Sequence, residues 1–204
     1  MTPIYEHLVL LGAVGLSLWA TVPRAVGQEP PRVPPGAIRL VNFDRHGDAV
    51  AVCAEEPGPS IRVGARTIAR TRVWIASGDT MRQAATEPGS CDPAWSPFGD
   101  VVAVAAPSGL WVLSRDLTTT THLVNTSQRA PTNEFDYRAL SKPAWSPDGT
   151  RLGILVSNGG TSWIEVVDVK TGEQRFKSPP ETYSFRWETG SRLLRFGSSV
   201  KEIP

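Results

Sequence analysis

The residues of this chain best suited to chemistry form the run Asp44-Arg-His46-Gly-Asp48, in which carboxylate and imidazole side chains alternate. Oxygen and nitrogen donors at this spacing suggest a metal site. A zinc site, however, needs three or four convergent ligands, and the neighbouring sequence supplies no others. The glycine in the run favours a turn whose polar residues face water. We therefore expect no metal site and no cofactor.

The remaining candidates for catalysis are two further carboxylates and one further histidine. Asp100 and Asp148 each lie beside a glycine in a sequence typical of a turn, which favours a structural role over paired acid–base chemistry. His122 lies in a segment predicted to be an outer strand, where its side chain would be at the surface. No Gly-x-Ser-x-Gly motif occurs, so no activated serine is predicted. We predict no catalytic residues, and hence a protein that is not an enzyme.

The elements that must position these residues are repeats. Residues 93–105, which contain Trp-Ser-Pro-Phe-Gly, return fifty positions later as residues 143–155, which contain Trp-Ser-Pro-Asp-Gly. Two weaker copies keep the aromatic residue, the turn glycine and the apolar run. The four aromatic anchors are Phe43, Trp95, Trp145 and Trp187. A period of this size is typical of stacked supersecondary units that cannot bury their faces alone.

Each clear copy predicts an up-and-down sheet of four strands. In the third copy, Ser146-Pro147-Asp148-Gly149 has proline, aspartate and glycine where a tight turn needs them. The apolar run that follows indicates a sheet covered on both faces. The predicted strands are 92–95, 101–106, 110–115 and 120–124 in the second copy and 142–145, 152–157, 163–169 and 174–177 in the third.

Four-stranded sheets that recur about every 40–50 residues are typical of β-propeller blades. We predict an all-β fold over residues 37–204, a partial β-propeller of about three and a half four-stranded blades. The tryptophans would fill the wedges between neighbouring sheets. The last blade has room for about two strands. The predicted blades are 37–86, 90–127, 140–178 and 181–204.

The third copy also carries a family resemblance. Residues 143–152, Pro-Ala-Trp-Ser-Pro-Asp-Gly-Thr-Arg-Leu, and 164–173, Ile-Glu-Val-Val-Asp-Val-Lys-Thr-Gly-Glu, resemble the WD40-like repeat of TolB-type propellers. Such repeats are found in periplasmic TolB and in the propellers of prolyl-oligopeptidase-like enzymes, whose catalytic groups lie on a separate hydrolase domain. The resemblance implies the fold but not the function, because propellers host unrelated activities.

Two segments lie outside the repeat and are candidates for binding, because extra loops on a rigid scaffold often carry function. Residues 55–72 lengthen the first blade, and residues 127–137 lengthen the passage between the second and third blades. The second segment combines aromatic and charged side chains. Its predicted contact residues are Arg129, Glu134, Phe135, Asp136 and Tyr137.

The two cysteines of the chain are Cys53 and Cys91. Counted from the turns, Cys53 ends the second strand of the first blade, and Cys91 lies just before the first strand of the second blade. Both therefore fall at the same end of adjacent sheets. In an oxidising compartment a disulfide between them is one hypothesis, and two free thiols are the other.

The N-terminal segment predicts export. Residues 8–22 form an apolar stretch, and the small residues after it suit cleavage behind Gly27. We predict a signal peptide over 1–27, a proline-rich linker over 28–36, and a periplasmic or extracellular protein. A retained N-terminal membrane anchor is the alternative, although the apolar stretch is shorter than the ~20 residues of a usual span.

Charge and composition narrow the class of partner. The sequence contains twenty-one lysines and arginines and twenty acidic residues, which gives a formal net charge of +1, and the charges are scattered along the chain. This excludes the basic footprint of a nucleic-acid-binding protein and a polybasic membrane patch. We predict an exported, non-enzymatic module that binds a protein or peptide in the cell envelope. A propeller remnant of a prolyl-oligopeptidase-like hydrolase, or a glycan-binding module, is the alternative.

The number of blades leaves the assembly open. The TolB-type propellers that this sequence resembles are six-bladed rings, whereas this sequence predicts about three and a half blades. Unpaired sheet edges favour association with other strands. The chain could form a homo-oligomer through open blade edges, be a shortened relative of a full ring, or close on itself with four blades. The repeats favour an open or oligomerised arc.

Overall fold

A computed structural model describes residues 30–63, 66–86, 89, 91–125, 138–158, 160–189 and 192–204. The predicted signal peptide lies outside these ranges. Within them, all regular secondary structure is β-strand, and no helix is long and apolar enough to span a membrane.

Within the described residues, the strands form four antiparallel sheets of three or four strands that follow one another along the chain, and a separate two-stranded hairpin is inserted in the first. Sheet 1 has β1 (Arg39–His46) and β2 (Ala49–Glu55), then an inserted hairpin of β3 (Ile61–Val63) and β4 (Arg66–Ile68), then β5 (Thr71–Ser77) and β6 (Thr80–Gln83). Sheet 2 has β7 (Asp92–Trp95), β8 (Val101–Ala106), β9 (Gly109–Ser114) and β10 (Thr120–Asn125). Sheet 3 has β11 (Arg138–Trp145), β12 (Arg151–Asn158), β13 (Thr161–Asp168) and β14 (Gln174–Lys177). Sheet 4 has β15 (Phe185–Trp187), β16 (Leu193–Phe196) and β17 (Ser199–Glu202).

Sheet 4 differs from its prediction, because it contains three strands rather than about two. The chain reverses between β16 and β17 through a two-residue turn, in which Phe196 pairs with Ser199. Gly197 makes this turn possible, since its φ of 54° is in the left-handed region that side chains disfavour. The short turn therefore brings β17 directly alongside β16 as a third strand.

The turns of sheets 2 and 3 explain why the repeated motif forms a hairpin. In sheet 3 the Gly149 amide donates to the Ser146 carbonyl at 2.9 Å, which closes the turn. Asp148 accepts from the Ser146 hydroxyl at 2.6 Å and from the Thr150 amide at 3.1 Å. Gly149 has a φ of 68°, and a Cβ there would collide with the ring of Phe98 from the preceding turn. The motif thus sets the turn and its distance from the neighbouring sheet.

A ladder of indole hydrogen bonds crosses the seams between sheets. The Nε1 atom of Trp145 donates to the Ala94 carbonyl of sheet 2 at 2.8 Å, and that of Trp187 donates to the Ala144 carbonyl of sheet 3 at 2.9 Å. Trp95 likewise donates to a carbonyl of sheet 1. Each ring belongs to the apolar cluster that fills its seam. Each inner strand is therefore bound to the one before it.

Sheet 1 is offset from the other repeats. The carbonyl that accepts from the Trp95 indole, at 3.2 Å, belongs to Asp44, which follows Phe43. In sheet 2 the acceptor Ala94 instead precedes the aromatic anchor. The offset arises because β1 continues to His46, which pairs with Ala49 across a turn of only two residues. The glycine of this copy therefore lies closer to its strands than in the other copies.

Asp44 is half-buried and bonds across the seam, whereas the turn interpretation expected its side chain to face water. Its Oδ2 atom accepts from the Trp95 amide at 2.7 Å, because β1 still runs alongside β7 at this position. Phe43 packs with Trp74 and three buried residues of β2 on the face of sheet 1 that lies away from sheet 2. The predicted anchor at 43 thus belongs to a different layer from the Trp95 seam.

Sheets 1 and 2 are also joined covalently. Cys53 in β2 and Cys91, the residue before β7, form a disulfide with their Cα atoms 5.8 Å apart. The bond closes a separation of 38 residues, which includes the inserted hairpin. It lies within the apolar cluster shared by the two sheets.

Candidate binding cleft between sheets 1 and 2

A cleft of about 530 Å³ opens between sheets 1 and 2. One wall comes from β5 and β6, and the other comes from the end of β9 and from the β7–β8 and β9–β10 turns. Its lining residues are Ile75, Ser77, Thr80, Arg82, Asp100, Ser114, Arg115 and Asp116. Apart from Ile75, every one of these side chains carries a polar or charged group.

Arg115 crosses the cleft from sheet 2 to sheet 1. Its Nη2 atom donates to Asp48 Oδ1 at 2.5 Å and to Ser77 Oγ at 3.1 Å. The hydrogen bond from this guanidinium is the main reason that the pKa of Asp48 lies below its usual range. The Arg115 side chain remains 37% exposed, so it is accessible to a molecule in the cleft.

Arg82 projects from β6 on the opposite wall. Its Nη1 atom donates to the Asp116 carbonyl at 3.3 Å, a long bond to a neutral acceptor. Within the described residues, this arginine has no carboxylate within ion-pair distance. Most of its hydrogen-bonding capacity therefore remains available to solvent or to a ligand.

The carboxylates beside the arginines are bonded within their own turns. Asp116 accepts from Ser114 Oγ at 2.7 Å, from the Thr118 amide at 3.0 Å and from Thr118 Oγ1 at 2.8 Å. These bonds, the first above all, lower the pKa of Asp116 to about 2. Asp100 accepts from Ser96 Oγ at 2.5 Å. These carboxylates thus stabilise the turns that line the cleft.

The next seam shows why a cleft forms here. The Arg115 amide donates to the Asp100 carbonyl at 2.9 Å, and the Val169 amide donates to the Thr150 carbonyl at 3.0 Å, so Val169 is the counterpart of Arg115. Val169 packs into the apolar cluster between sheets 2 and 3. An arginine at this position reaches across the seam instead of filling it. Sequence analysis missed Arg115, because this equivalence emerges only from the backbone hydrogen bonds, and it missed Arg82, because that residue belongs to no repeated motif.

The histidines singled out in the sequence take part in packing. The His46 ring lies against Gly99 in the turn of sheet 2, where a Cβ would overlap it. The His122 ring is in the outer strand β10 and stacks on Trp111, with centroids 4.0 Å apart and planes inclined by 1°. Within the described ranges, no three histidine, cysteine or acidic side chains are grouped so as to hold a metal ion.

The predicted contact loop lies outside the described residues. This concerns Arg129, Glu134, Phe135, Asp136 and Tyr137, so their role stays a prediction. The strand that follows them begins with Arg138, which is ion-paired with the buried carboxylate of Glu165. Glu165 also accepts from the indole of Trp163 at 2.8 Å.

A second polar cluster joins the inner strands of three sheets. Asp92 of sheet 2 accepts from the Asn42 side chain of sheet 1 and, at 2.5 Å, from the Lys142 amide of sheet 3. Burial raises the pKa of the Asp92 carboxyl above its usual value, against the effect of these donors. Lys142 has a φ of 50° and lies where the pairing of β11 with β12 is irregular. The hydrogen bond to Asp92 therefore stabilises the unfavourable backbone conformation of Lys142.

Solved structures with a similar arrangement of sheets are β-propellers. Acylaminoacyl peptidase from Pyrococcus horikoshii aligns with a TM-score of 0.55 at 14% identity, over 76% of this chain and 27% of that one. The β-propeller domain of the Trilobed protease from Pyrococcus furiosus aligns with a TM-score of 0.52 at 14% identity, over 76% of this chain and 47% of that one. TolB from Acinetobacter baumannii aligns with a TM-score of 0.49 at 11% identity, over 74% and 38% of the two chains, which is too low to support an assignment.

These likenesses assign the fold. The all-β partial β-propeller predicted from the repeats is confirmed. No protein-family model and no curated protein matches the chain. The chain spans about half or less of the length of these solved structures. At such identities the likeness concerns the fold alone, and no activity passes from the peptidases to this chain.

Proposed function

We propose that this protein is an exported, non-enzymatic β-propeller module that binds a protein or peptide in the cell envelope through the cleft between sheets 1 and 2. The observation that carries the proposal is the pair of accessible arginines on opposite walls of a cleft of about 530 Å³. A volume of this size lies within the range of ligand sites.

The disulfide supports the export part of the proposal. Bonds of this kind persist in oxidising compartments such as the periplasm and the cell exterior. The cysteines at 53 and 91 are both used in the bond. We propose accordingly that residues 1–27 serve as the signal peptide, and that the protein acts in the periplasm or outside the cell.

The proposal is tested by selecting peptides from a displayed random library on the purified protein. The selected peptides are then measured by calorimetry against wild type, Arg82→Ala and a control variant, Arg39→Ala. Arg39 is also an exposed arginine of sheet 1, but it is bonded to Glu55. We expect binding to weaken about tenfold in Arg82→Ala, since a hydrogen bond to a charged group contributes about that factor, and to persist in Arg39→Ala.

Two results would reject the proposed function. The first is a library selection that enriches no peptide. The second is a set of peptides that bind wild type and Arg82→Ala equally well, which would move the binding surface away from the cleft. Hydrolysis of a bound peptide by the purified protein would reject the non-enzymatic part of the proposal.

A further inference from the structure

We infer that the cleft between sheets 1 and 2 holds a carboxylate of its peptide ligand between Arg82 and Arg115. This inference rests on the proposed function and names the chemical group that anchors the ligand. Three observations support it. Both arginines have unused hydrogen-bonding capacity, and an arginine lies at the seam position that a valine occupies in the next sheet. The third observation is the balance of charge around the two guanidinium groups.

Both arginines of the cleft have unused hydrogen-bonding capacity. Arg82 makes one long bond to a backbone carbonyl, and Arg115 uses only its Nη2 atom, so its other guanidinium nitrogens make no hydrogen bond within the described residues. Asp116, by contrast, already accepts three hydrogen bonds. A ligand group that bonds to these two guanidinium groups therefore does so as an acceptor.

The seam comparison indicates that stability alone does not explain the arginine at position 115. Its counterpart Val169 fills the seam between sheets 2 and 3 with apolar surface. An exposed ion pair such as that of Arg115 with Asp48 contributes little to folding, commonly under ~1 kcal/mol. An arginine in place of a seam-filling valine supplies instead a planar group able to bind a carboxylate through two parallel hydrogen bonds.

The charge balance disfavours a multiply charged anion. The cleft contains two arginines, and three carboxylates surround them, those of Asp48, Asp100 and Asp116. Hydrogen bonds keep Asp48 and Asp116 ionised far below neutral pH. A phosphate dianion would meet this negative charge with twice the repulsion of a carboxylate. A peptide carboxylate fits the pair of guanidinium groups at lower electrostatic cost.

A peptide can supply the carboxylate from its C-terminus or from an aspartate or glutamate side chain. Three short probes separate these sources. Acetyl-Ala-Ala with a free C-terminus carries the first, and acetyl-Asp-Ala-amide carries the second. Acetyl-Ala-Ala-amide carries neither. Each is added to nitrogen-15-labelled protein while the Nε–Hε signals of Arg82 and Arg115 are followed by NMR.

We expect one or both carboxylate probes to shift the signals of Arg82 and Arg115 with saturation, and the amide probe to leave them unchanged. The Arg39 signal is the internal control, because its Nε atom is bonded to Glu55 away from the cleft. In Arg82→Gln the affinity should fall about tenfold. Arg82→Lys, which keeps the charge but loses the planar pair of donors, should recover only part of it. Inorganic phosphate at neutral pH should bind more weakly than the carboxylate probes.

The outcomes separate this inference from the proposed function. Equal shifts with the amide probe, or no shift of the two arginines with any probe, would overturn the carboxylate inference even if library peptides bind. Saturable shifts with the carboxylate probes, together with a library that enriches nothing, would keep the carboxylate site and reject the peptide partner. Tighter binding of phosphate than of either carboxylate probe would also overturn the inference.

Discussion

Short hydroxyl and carboxylate side chains stabilise the turns of this protein at the scale of single residues. The same arrangement recurs at Asp116, Asp148 and Asp168, where each carboxylate accepts from the amide and hydroxyl of a threonine two or three positions later. Such bonds favour the ionised form of the carboxyl group. The turns therefore contribute stability that depends on pH.

Asp148 provides a direct test of this dependence. Burial works against ionisation, but donation by Ser146 and Thr150 holds the pKa of Asp148 well below its usual value of 3.8. A lowered folded-state pKa gives stability that is fully present above about pH 5 and is lost progressively as the pH falls through 3.8 toward the folded-state pKa. We expect Asp148→Ala to lower the free energy of unfolding at pH 7 by about 1 kcal/mol or less, since exposure screens the effect. The difference from wild type should shrink by pH 2.5.

The measurement is urea denaturation of both proteins at pH 7 and pH 2.5. Asp79→Ala is the matched control, because Asp79 lies in a two-residue turn and its side chain makes no hydrogen bond within the described residues. Its effect should be small at both values. An Asp148→Ala effect of the same size at pH 7 and pH 2.5 would show that the stabilisation does not come from the ionised carboxylate.

At the scale of elements, sheets 2 and 3 could be predicted closely from sequence, and sheet 1 could not. Proline and glycine at fixed positions specify the turn between β7 and β8, so both strands have the predicted bounds, and β14, which follows the polar turn at Thr171 and Gly172, has them too. In sheet 1 the chain turns through only two residues after His46. The strand residues of this repeat are therefore displaced relative to the turn glycine, compared with the other repeats. Arg45 lies at the position equivalent to Trp95, and no pattern of residue types reveals this.

The candidate cleft was beyond sequence prediction for a similar reason. Arg82 and Arg115 lie in different sheets and belong to no motif. Their meeting follows from the way sheets 1 and 2 pack, and the contrast with Val169 becomes visible once the backbone bonds of the two seams are compared. Loop composition directed attention instead to residues 127–137.

The disulfide makes a prediction about how sheets 1 and 2 are held together. A cross-link spanning 38 residues stabilises the folded state by about 3–4 kcal/mol, mainly by restricting the unfolded chain. We expect the double variant Cys53→Ala and Cys91→Ala to lose stability of this order in urea denaturation. Reductant should weaken wild type but leave the double variant unchanged. Mass spectrometry of the unreduced protein should find no thiol that can be alkylated, and finding two would contradict the bond.

At the scale of the whole molecule, the exposed outer strands of the sheets determine whether the protein associates with itself. The outermost strand β17 of sheet 4 is exposed along its whole length, and Val200 within it is 43% exposed. Exposed strand edges pair readily with other strands. We expect light scattering after size-exclusion chromatography to give a mass above that of a single exported chain, and this mass should rise with concentration. Val200→Glu and Val200→Lys should each reduce the association. A monomer at all concentrations would contradict the prediction of self-association.

The indole ladder has a direction. Every ring that donates across a seam comes later in the chain than the carbonyl that accepts it, from sheet 2 to sheet 1, sheet 3 to sheet 2 and sheet 4 to sheet 3. During synthesis or passage through a membrane pore, a chain emerges from its N-terminus. Each new blade then meets a finished docking surface as it appears, so assembly can proceed one blade at a time in the order of translation.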